Sequence, residues 1–444
     1  MKRRDFNRTL AAAALATVPG ARLGAASTGG APMARVPRIN GERLNGWLTA
    51  ISEFGRNPAG GVTRLAYGEA DLAARAFVTQ RMLEAKLTVV VDAAGNIYGK
   101  RAGADASAAP IIFGSHVDSV PEGGNFDGNV GTLAAIEVAR TFAEQGVTTR
   151  HPLWVVCWQN EEGGTWGSHL VTADVTGTEL STVARSGKSI GDGIRYLGGD
   201  PSKLASARLR KGDVHGYVEL HIEQGGLLDR QKLDIGVVEG IVGLREWDVT
   251  IDGFANHAGT TPMNERRDAM LAAARFTEMV NRIVTAEPGR QVGTVGRIQA
   301  FPGAPNVVPG KVTCTLELRD LDDRKIQTLY DAIVAESQKI GARNGTTFGY
   351  HEFVTHESAR CDAGVRSIIG AAAATRGFTT MSLPSGAGHD AQNLARVCPM
   401  GMIFIPSVDG ISHSPREFSR PRDITNGADV LLGAVLAMDE ATFR

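Results

Sequence analysis

The chain has 444 residues, 54 of them glycine, with 47 Lys and Arg against 48 Asp and Glu, a formal net charge of −1 at pH 7. That length exceeds one ordinary core and predicts two domains. The near-zero charge excludes nucleic acid and anionic membrane surfaces as main partners, and four scattered cysteines (Cys157, Cys314, Cys361, Cys398) with no CxxC exclude a zinc ribbon.

The first residues run Lys2-Arg3-Arg4-Asp5-Phe6, then a mildly apolar stretch from Thr9 to Val18, then Ala-Gly-rich sequence to Ala26. Basic, apolar and small-residue regions in that order predict a twin-arginine export signal over 1–26, with the twin-arginine machinery as partner and a periplasmic or other extracytoplasmic destination. Residues 27–40 are rich in Gly, Ala and Pro and read as a linker. No later segment offers the roughly 20 apolar residues of a membrane span.

Helical spacing follows over 40–54 and 69–87, the second with Leu72, Ala76, Met82 and Leu83 apolar. Residues 88–92 and 96–101 flank Ala-Ala-Gly and predict a hairpin. An apolar run from Pro110 to Phe113 leads into Gly114-Ser115-His116-Val117-Asp118, a Gly-rich loop, Asp127-Gly128, and a helix ending near Gly146. Residues 152–158 are continuously apolar, as in a strand covered on both faces, and end in Gln159-Asn160-Glu161-Glu162-Gly163. Residues 172–210 read as helices and loops. Residues 217–222 alternate and carry His221.

From Arg245 the pattern changes. Strand 245–253, helix 267–286, strands 291–301 and 311–318, helix 322–340 and strand 346–353 give the ferredoxin-like order. This predicts an inserted α+β domain over 245–356. The α/β pattern then resumes with helix 362–376, the segment Ser385-Gly386-Ala387-Gly388-His389-Asp390-Ala391, strand 400–405, His413 just beyond it, and helix 423–438. Residues 41–244 and 357–444 together form a discontinuous α/β domain.

Four apolar runs are therefore followed by imidazoles or carboxylates. Ligand sites in open α/β sheets lie at the carboxyl ends of strands. Imidazole with carboxylate suits a borderline divalent metal. A lone Glu pair is by default a solvated turn, and a lone His on a strand is by default a satisfied core histidine. Their joint occurrence at strand ends shifts both readings toward a site.

The motifs GSHVDSV, FDG at 126–128, NEEG at 160–163, HIEQG at 221–225, HAGTTPM at 257–263, SGAGHDA at 385–391 and SHSP at 412–415 together resemble one family. It is the zinc-peptidase-like amidohydrolases acting on ureido compounds: N-carbamoyl-L-amino-acid hydrolases, β-ureidopropionases and allantoate amidohydrolases. The resemblance covers nearly all of the chain after residue 40. It implies a zinc-peptidase-like α/β/α catalytic domain and two divalent metal ions per subunit (Zn, Mn or Co). It implies His116, Asp127, Glu162, His221 and His413 as ligands, with Asp127 bridging. It further implies Asp118 orienting His116, Glu161 as general base, and Gln224, His257, Asn306, Arg319 and His389 contacting substrate. The inserted domain would act as lid and form a homodimer in which His257 reaches the partner subunit's site. After NEEG the chain reads Gly164-Thr165-Trp166, where an Arg-Phe element is expected.

The implied reaction is hydrolysis of the carbamoyl C–N bond of an N-carbamoyl amino acid or related ureido acid, releasing ammonia and carbon dioxide. One rival is a peptidase or deacylase of the same superfamily, which would release a second amino compound instead. Another is a non-catalytic binding protein using the same cleft, which would need no base at Glu161.

Overall fold

The computed structural model describes residues 37–443. The expected export signal and linker residues 27–36 lie outside the described residues. The end of the linker is tied down: Arg38 Nη1 and Ile39 N donate to the two oxygens of Asp429, at 3.0 and 3.1 Å.

Asn40 caps α1 (Gly41–Ile51) by accepting from Arg43 N. Then come α2 (Glu69–Glu84), β1 (Thr88–Val91), β2 (Ile97–Arg101), β3 (Ile111–His116), α3 (Asn129–Glu144) and β4 (Leu153–Trp158). Short helices α4 (Trp166–Thr172), α5 (Gly177–Leu180) and α6 (Ile190–Tyr196) precede β5 (Gly216–Ile222), α7 (Leu227–Gln231) and β6 (Ile235–Ile241). The next segment holds β7 (Gly243–Asp252), β8 (Asn256–His257), α8 (Ala269–Ala286), β9 (Val292–Thr294), β10 (Ile298–Phe301), β11 (Val307–Val308), β12 (Lys311–Asp320), α9 (Asp323–Asn344) and β13 (Thr347–His356). The chain closes with β14 (Ala359–Arg360), α10 (Ala363–Thr375), β15 (Thr380–Ser385), α11 (Asp390–Leu394), β16 (Met400–Ile405) and α12 (Pro421–Glu440).

Nine strands form the main sheet in the order β1-β2-β4-β3-β5-β16-β6-β14, with β15 beside β6. Strands β4, β3, β5 and β16 are mutually parallel, so their carboxyl ends share one edge. Their apolar runs are explained by burial on both faces. Ile111, Phe113, Val155 and Leu220 pack with Leu133 of α3 and Val435 of α12, while Ile112, Val156 and Met402 pack with Leu170 of α4 and Leu394 of α11. The result is an α/β/α layering.

A second sheet takes all its strands from residues 243–356. Its order is β10-β12-β7-β13 with β9 also on β12, all antiparallel. Its core residues Trp247, Leu316 and Leu318 pack with Phe276 of α8 and Ile333 of α9. The order of elements is the expected ferredoxin-like one.

Three expectations change on contact with the structure. In α2, Leu72 and Leu83 are 41% and 49% exposed, and the buried face is Asp71, Ala74, Arg75, Val78 and Met82. Its polar members find partners there: Asp71 accepts from Tyr67 N at 2.8 Å and Arg75 donates from Nη2 to Gly95 O. Strand β5 alternates, yet all seven of its residues are buried; the alternation separates a core face from a polar face carrying Glu219 and His221. The pattern over 291–301 is two short strands, β9 and β10, rather than one.

Candidate metal centre

Strand β3 delivers His116 and the loop after it delivers Asp127; the turn after β4 delivers Glu161 and Glu162; β5 carries His221, and the loop after β16 carries His413. Besides a Glu219–His221–His389 group, two ligand triads form among the described residues, His116–Asp127–His221 and Asp127–Glu162–His413, with donor atoms in each within 4.8 Å of one another. Asp127 belongs to both. Its Oδ1 lies 3.2 Å from His221 Nε2 and 3.5 Å from His116 Nε2, and its Oδ2 lies 3.3 Å from His413 Nε2. A carboxylate has an oxygen for each side. Glu162 Oε2 is 3.7 Å from His413 Nε2, and Glu161 Oε2 is 3.7 Å from His116 Nε2.

The two buried imidazoles have fixed orientations. His116 Nδ1 lies 3.1 Å from the Asp118 carbonyl and His221 Nδ1 lies 3.0 Å from the Ile222 carbonyl, so each Nδ1–H donates there and each Nε2 is turned toward Asp127. The Asp118 carboxylate, expected to orient His116, is 3.6 Å from Nδ1 and instead accepts from Glu161 N at 3.2 Å and Glu162 N at 3.1 Å. It aligns the Glu pair; its backbone carbonyl aligns the histidine.

The donor set fits a divalent cation. His116 Nε2 is buried with no hydrogen-bond partner, an orphan that burial normally forbids. Burial pushes the Glu161 carboxyl well above its usual range and Glu162 up to about 7, each raised further by neighbouring carboxylates. Burial alone would also raise Asp127, but the imidazoles of His221, His116 and His413 hold it well below the carboxylate range. Carboxylates crowded in this way call for a positive charge among them. Gly128 leaves room for it: at φ +64, a Cβ there would lie 2.4 Å from the His116 ring.

A cavity of about 280 Å³ opens on these residues. Gln224, Arg319 and His389 line it. Gln224 Nε2 donates to Asp127 Oδ2 at 2.7 Å. His389 is buried, packs its ring 4.5 Å from that of His221, and has Nε2 2.9 Å from Ser385 Oγ. Burial and the adjacent His221 keep it neutral, well below the usual imidazole range. Arg319 Nε donates to Glu317 at 2.8 Å and Nη1 to Gly386 O at 2.8 Å, which leaves its other terminal nitrogen for the cavity. His257 and Asn306 do not line this cavity. His257 ends β8 and Asn306 lies in the turn just before β11, its carbonyl accepting from Ala258 N at 2.9 Å; both are exposed.

Sequence reasoning missed Glu417. It is 3% exposed; Oε1 accepts from Phe126 N at 2.9 Å and Asp127 N at 3.0 Å, and Oε2 accepts from Ser412 Oγ at 2.8 Å. It also missed Glu219, which accepts from Ser115 Oγ at 2.6 Å and Tyr217 OH at 2.9 Å beneath the site. The available signal was the same in both: a carboxylate placed among ligand-bearing residues, four after His413 and two before His221.

Residues 112–437 match the family described as Peptidase family M20/M25/M40. The chain is 40% identical over 402 residues to an N-carbamoyl-L-amino acid amidohydrolase of Geobacillus stearothermophilus, covering 89% of this chain and 98% of that one. It is 31% identical over 394 residues to an allantoate amidohydrolase of Bacillus subtilis, covering 87% and 95%. A hydantoinase/carbamoylase family amidase from Burkholderia multivorans has the same fold, with a TM-score of 0.85 at 37% identity over 91% of this chain and 99% of that one.

Proposed function

The chain belongs to peptidase family M20/M25/M40, and from that premise we propose that it is a metal-dependent amidohydrolase of ureido acids. It cleaves the carbamoyl C–N bond of an N-carbamoyl-L-amino acid or a close relative such as allantoate. The observation that carries this reading is Asp127 shared between two ligand triads with Glu161 alongside.

In this reading two divalent ions would be held, one by His116, Asp127 and His221, the other by Asp127, Glu162 and His413. Zn, Mn and Co all suit these donors. Such ions, when bound, lower the pKa of a water and polarise a carbonyl. The protein's residues do the rest. Glu161, aligned by the Asp118 carboxylate, takes a proton from the attacking water and returns it to the leaving nitrogen. Arg319 holds the substrate carboxylate with its free nitrogen. His389, neutral, offers a ring hydrogen-bonding group to the ureido end. His257 of the partner subunit donates to the oxygen on which charge develops, worth about 3 kcal/mol for a preorganised donor. Its Nδ1 accepts from Gly259 N at 3.0 Å and Thr260 N at 3.2 Å, so the proton sits on Nε2 and faces outward.

The test is ammonia release by the metal-loaded protein across N-carbamoyl amino acids, allantoate, β-ureidopropionate and dipeptides. Ammonia from a ureido acid, abolished by a chelator, is expected. Cleavage of dipeptides alone would move the enzyme to the peptidase branch.

A further inference from the structure

The far wall of the metal-site cavity is a cross-strand row of the second sheet. Arg319 on β12 stands opposite Leu244 on β7, and Leu244 stands opposite His356 on β13. All three line the cavity. Directly opposed residues of neighbouring strands share a face. This face is the one turned away from α8 and α9, since Trp247, Val249 and Leu318 on the other face form the helix-covered core.

His356 reaches that face only because β13 is irregular. Phe348, Tyr350 and Glu352 pair with Ile251, Val249 and Trp247, so even-numbered residues of β13 begin on the helix side. The register then shifts between Glu352 and Val354, with Phe353 as the extra residue. Beyond it, Val354 pairs with Glu246 and His356 with Leu244, on the cavity side. A bulge that re-aims a side chain beside a site is a recurrent device.

We infer that His356 is a specificity-determining residue, selecting ureido acids whose side chain ends in a carboxylate. The inference rests on the amidohydrolase reading and on Arg319 holding the α-carboxylate. Adjacent strands lie about 4.8 Å apart, so the row spans about 10 Å, with an apolar floor at Leu244 and a polar group at each end. A substrate anchored at Arg319 lays its methylenes over Leu244 and its terminus at His356. That end carries a net positive charge. Arg360 and Arg396 line the adjoining groove together with His356, against the single carboxylate of Glu357. A terminal carboxylate there accepts a hydrogen bond from His356 and faces the Arg396 charge. An aliphatic end leaves His356 unpaired.

The experiment compares kcat/KM for N-carbamoyl-L-glutamate and N-carbamoyl-L-norvaline, which share the methylene chain and differ at its end. The wild type is expected to favour the glutamate derivative by roughly tenfold or more, the range of one charge-assisted hydrogen bond. His356→Leu should abolish that preference by raising KM for the glutamate derivative, and His356→Gln should restore part of it. Preference for norvaline in the wild type, or an equal loss on both substrates in His356→Leu, would overturn the proposal. Dipeptide cleavage with no ammonia from either compound would sink the ureido-acid reading itself, and this inference with it.

Discussion

At the scale of single residues, the ligands differ in how firmly they are held, and the difference predicts which fails first. His116 and His221 sit on buried strands with Nδ1 fastened to backbone carbonyls. His413 sits on a loop, at φ +52 and with its side chain 49% exposed. Glu417 ties that loop to the rest, bonding Ser412 Oγ with one oxygen and the backbone N–H groups of Phe126 and Asp127 with the other, beside a 3.3 Å bond from Ser412 Oγ to Asp127 Oδ2. Glu417→Ala removes both ties and leaves the two strand histidines untouched. The metal bound per chain, read by elemental analysis, should fall by about half, with the His116–Asp127–His221 ion retained; partners that orient ligands typically change affinity by roughly 10–100-fold. Full metal content in that variant would show that Glu417 only fills space. Glu417→Gln should keep most of the metal, because its carbonyl oxygen still accepts from the two N–H groups and its amide can donate to Ser412.

At the scale of elements, the site depends on how closely α3 approaches the sheet beneath it. Gly131 lies on the first turn of α3, and a Cβ there would come within 2.2 Å of Leu220 O on β5 and 2.7 Å of Ser115 Cβ on β3. Gly131→Ala must push the helix off the two strands that carry His221 and His116. A cost of about 1–3 kcal/mol is expected for such overpacking, seen as a lowered Tm in the metal-free protein. Gly370, on α10, has nothing within 4 Å of its added Cβ, so Gly370→Ala should leave Tm level or raise it. An equal drop in both variants would refute close packing as the cause. The same glycines explain what was legible in the sequence. Strands β3, β4 and β16 announced themselves as apolar runs between turn signals. Strand β6 did not, because Gly236 and Gly240 interrupt its apolar run. In the fold they mark close approach: a Cβ at Gly236 would lie 2.7 Å from Leu383 Cδ2 on β15 and 2.9 Å from Phe404 Cβ on β16. Strand β15, with a proline inside it, was hidden for a similar reason. The five expected ligand positions stood out as imidazoles and carboxylates at or just beyond strand ends, inside the motifs that carry the family resemblance. Glu417 could not, since its partners are backbone groups some 290 residues earlier in the chain. His356 was equally hidden, because a one-residue register shift leaves no mark in composition.

At the scale of the whole molecule, the groups proposed for catalysis are divided between two places. Glu161 and the proposed ligands meet at the strand ends of the main sheet, while His257 on β8 and Asn306, just before β11, stand exposed and do not line the cavity of their own subunit. A histidine whose Nδ1 is occupied by two backbone N–H groups keeps its proton on Nε2 and presents it to whatever approaches. The proposed homodimer makes that visitor the partner's site, and the arrangement has a consequence that no monomer could produce. Glu161→Gln should keep its metal and lower kcat by roughly 10²–10⁴-fold. His257→Ala should lower kcat by a comparable factor through the lost donor, about 10²–10³-fold. The two inactive proteins, unfolded together in equal amounts, refolded and reloaded with metal, form mixed dimers. In each mixed dimer one site combines an intact Glu161 with an intact His257 from across the interface, and the other site lacks both. Random pairing makes about half of the dimers mixed, so activity should return to roughly a quarter of the wild-type value, on the premise that both groups are needed at one centre. Refolding each variant alone controls for recovery. Activity that stays at the level of the separate variants, in dimers shown by mass to be mixed, would place His257 in its own subunit's chemistry or outside the reaction.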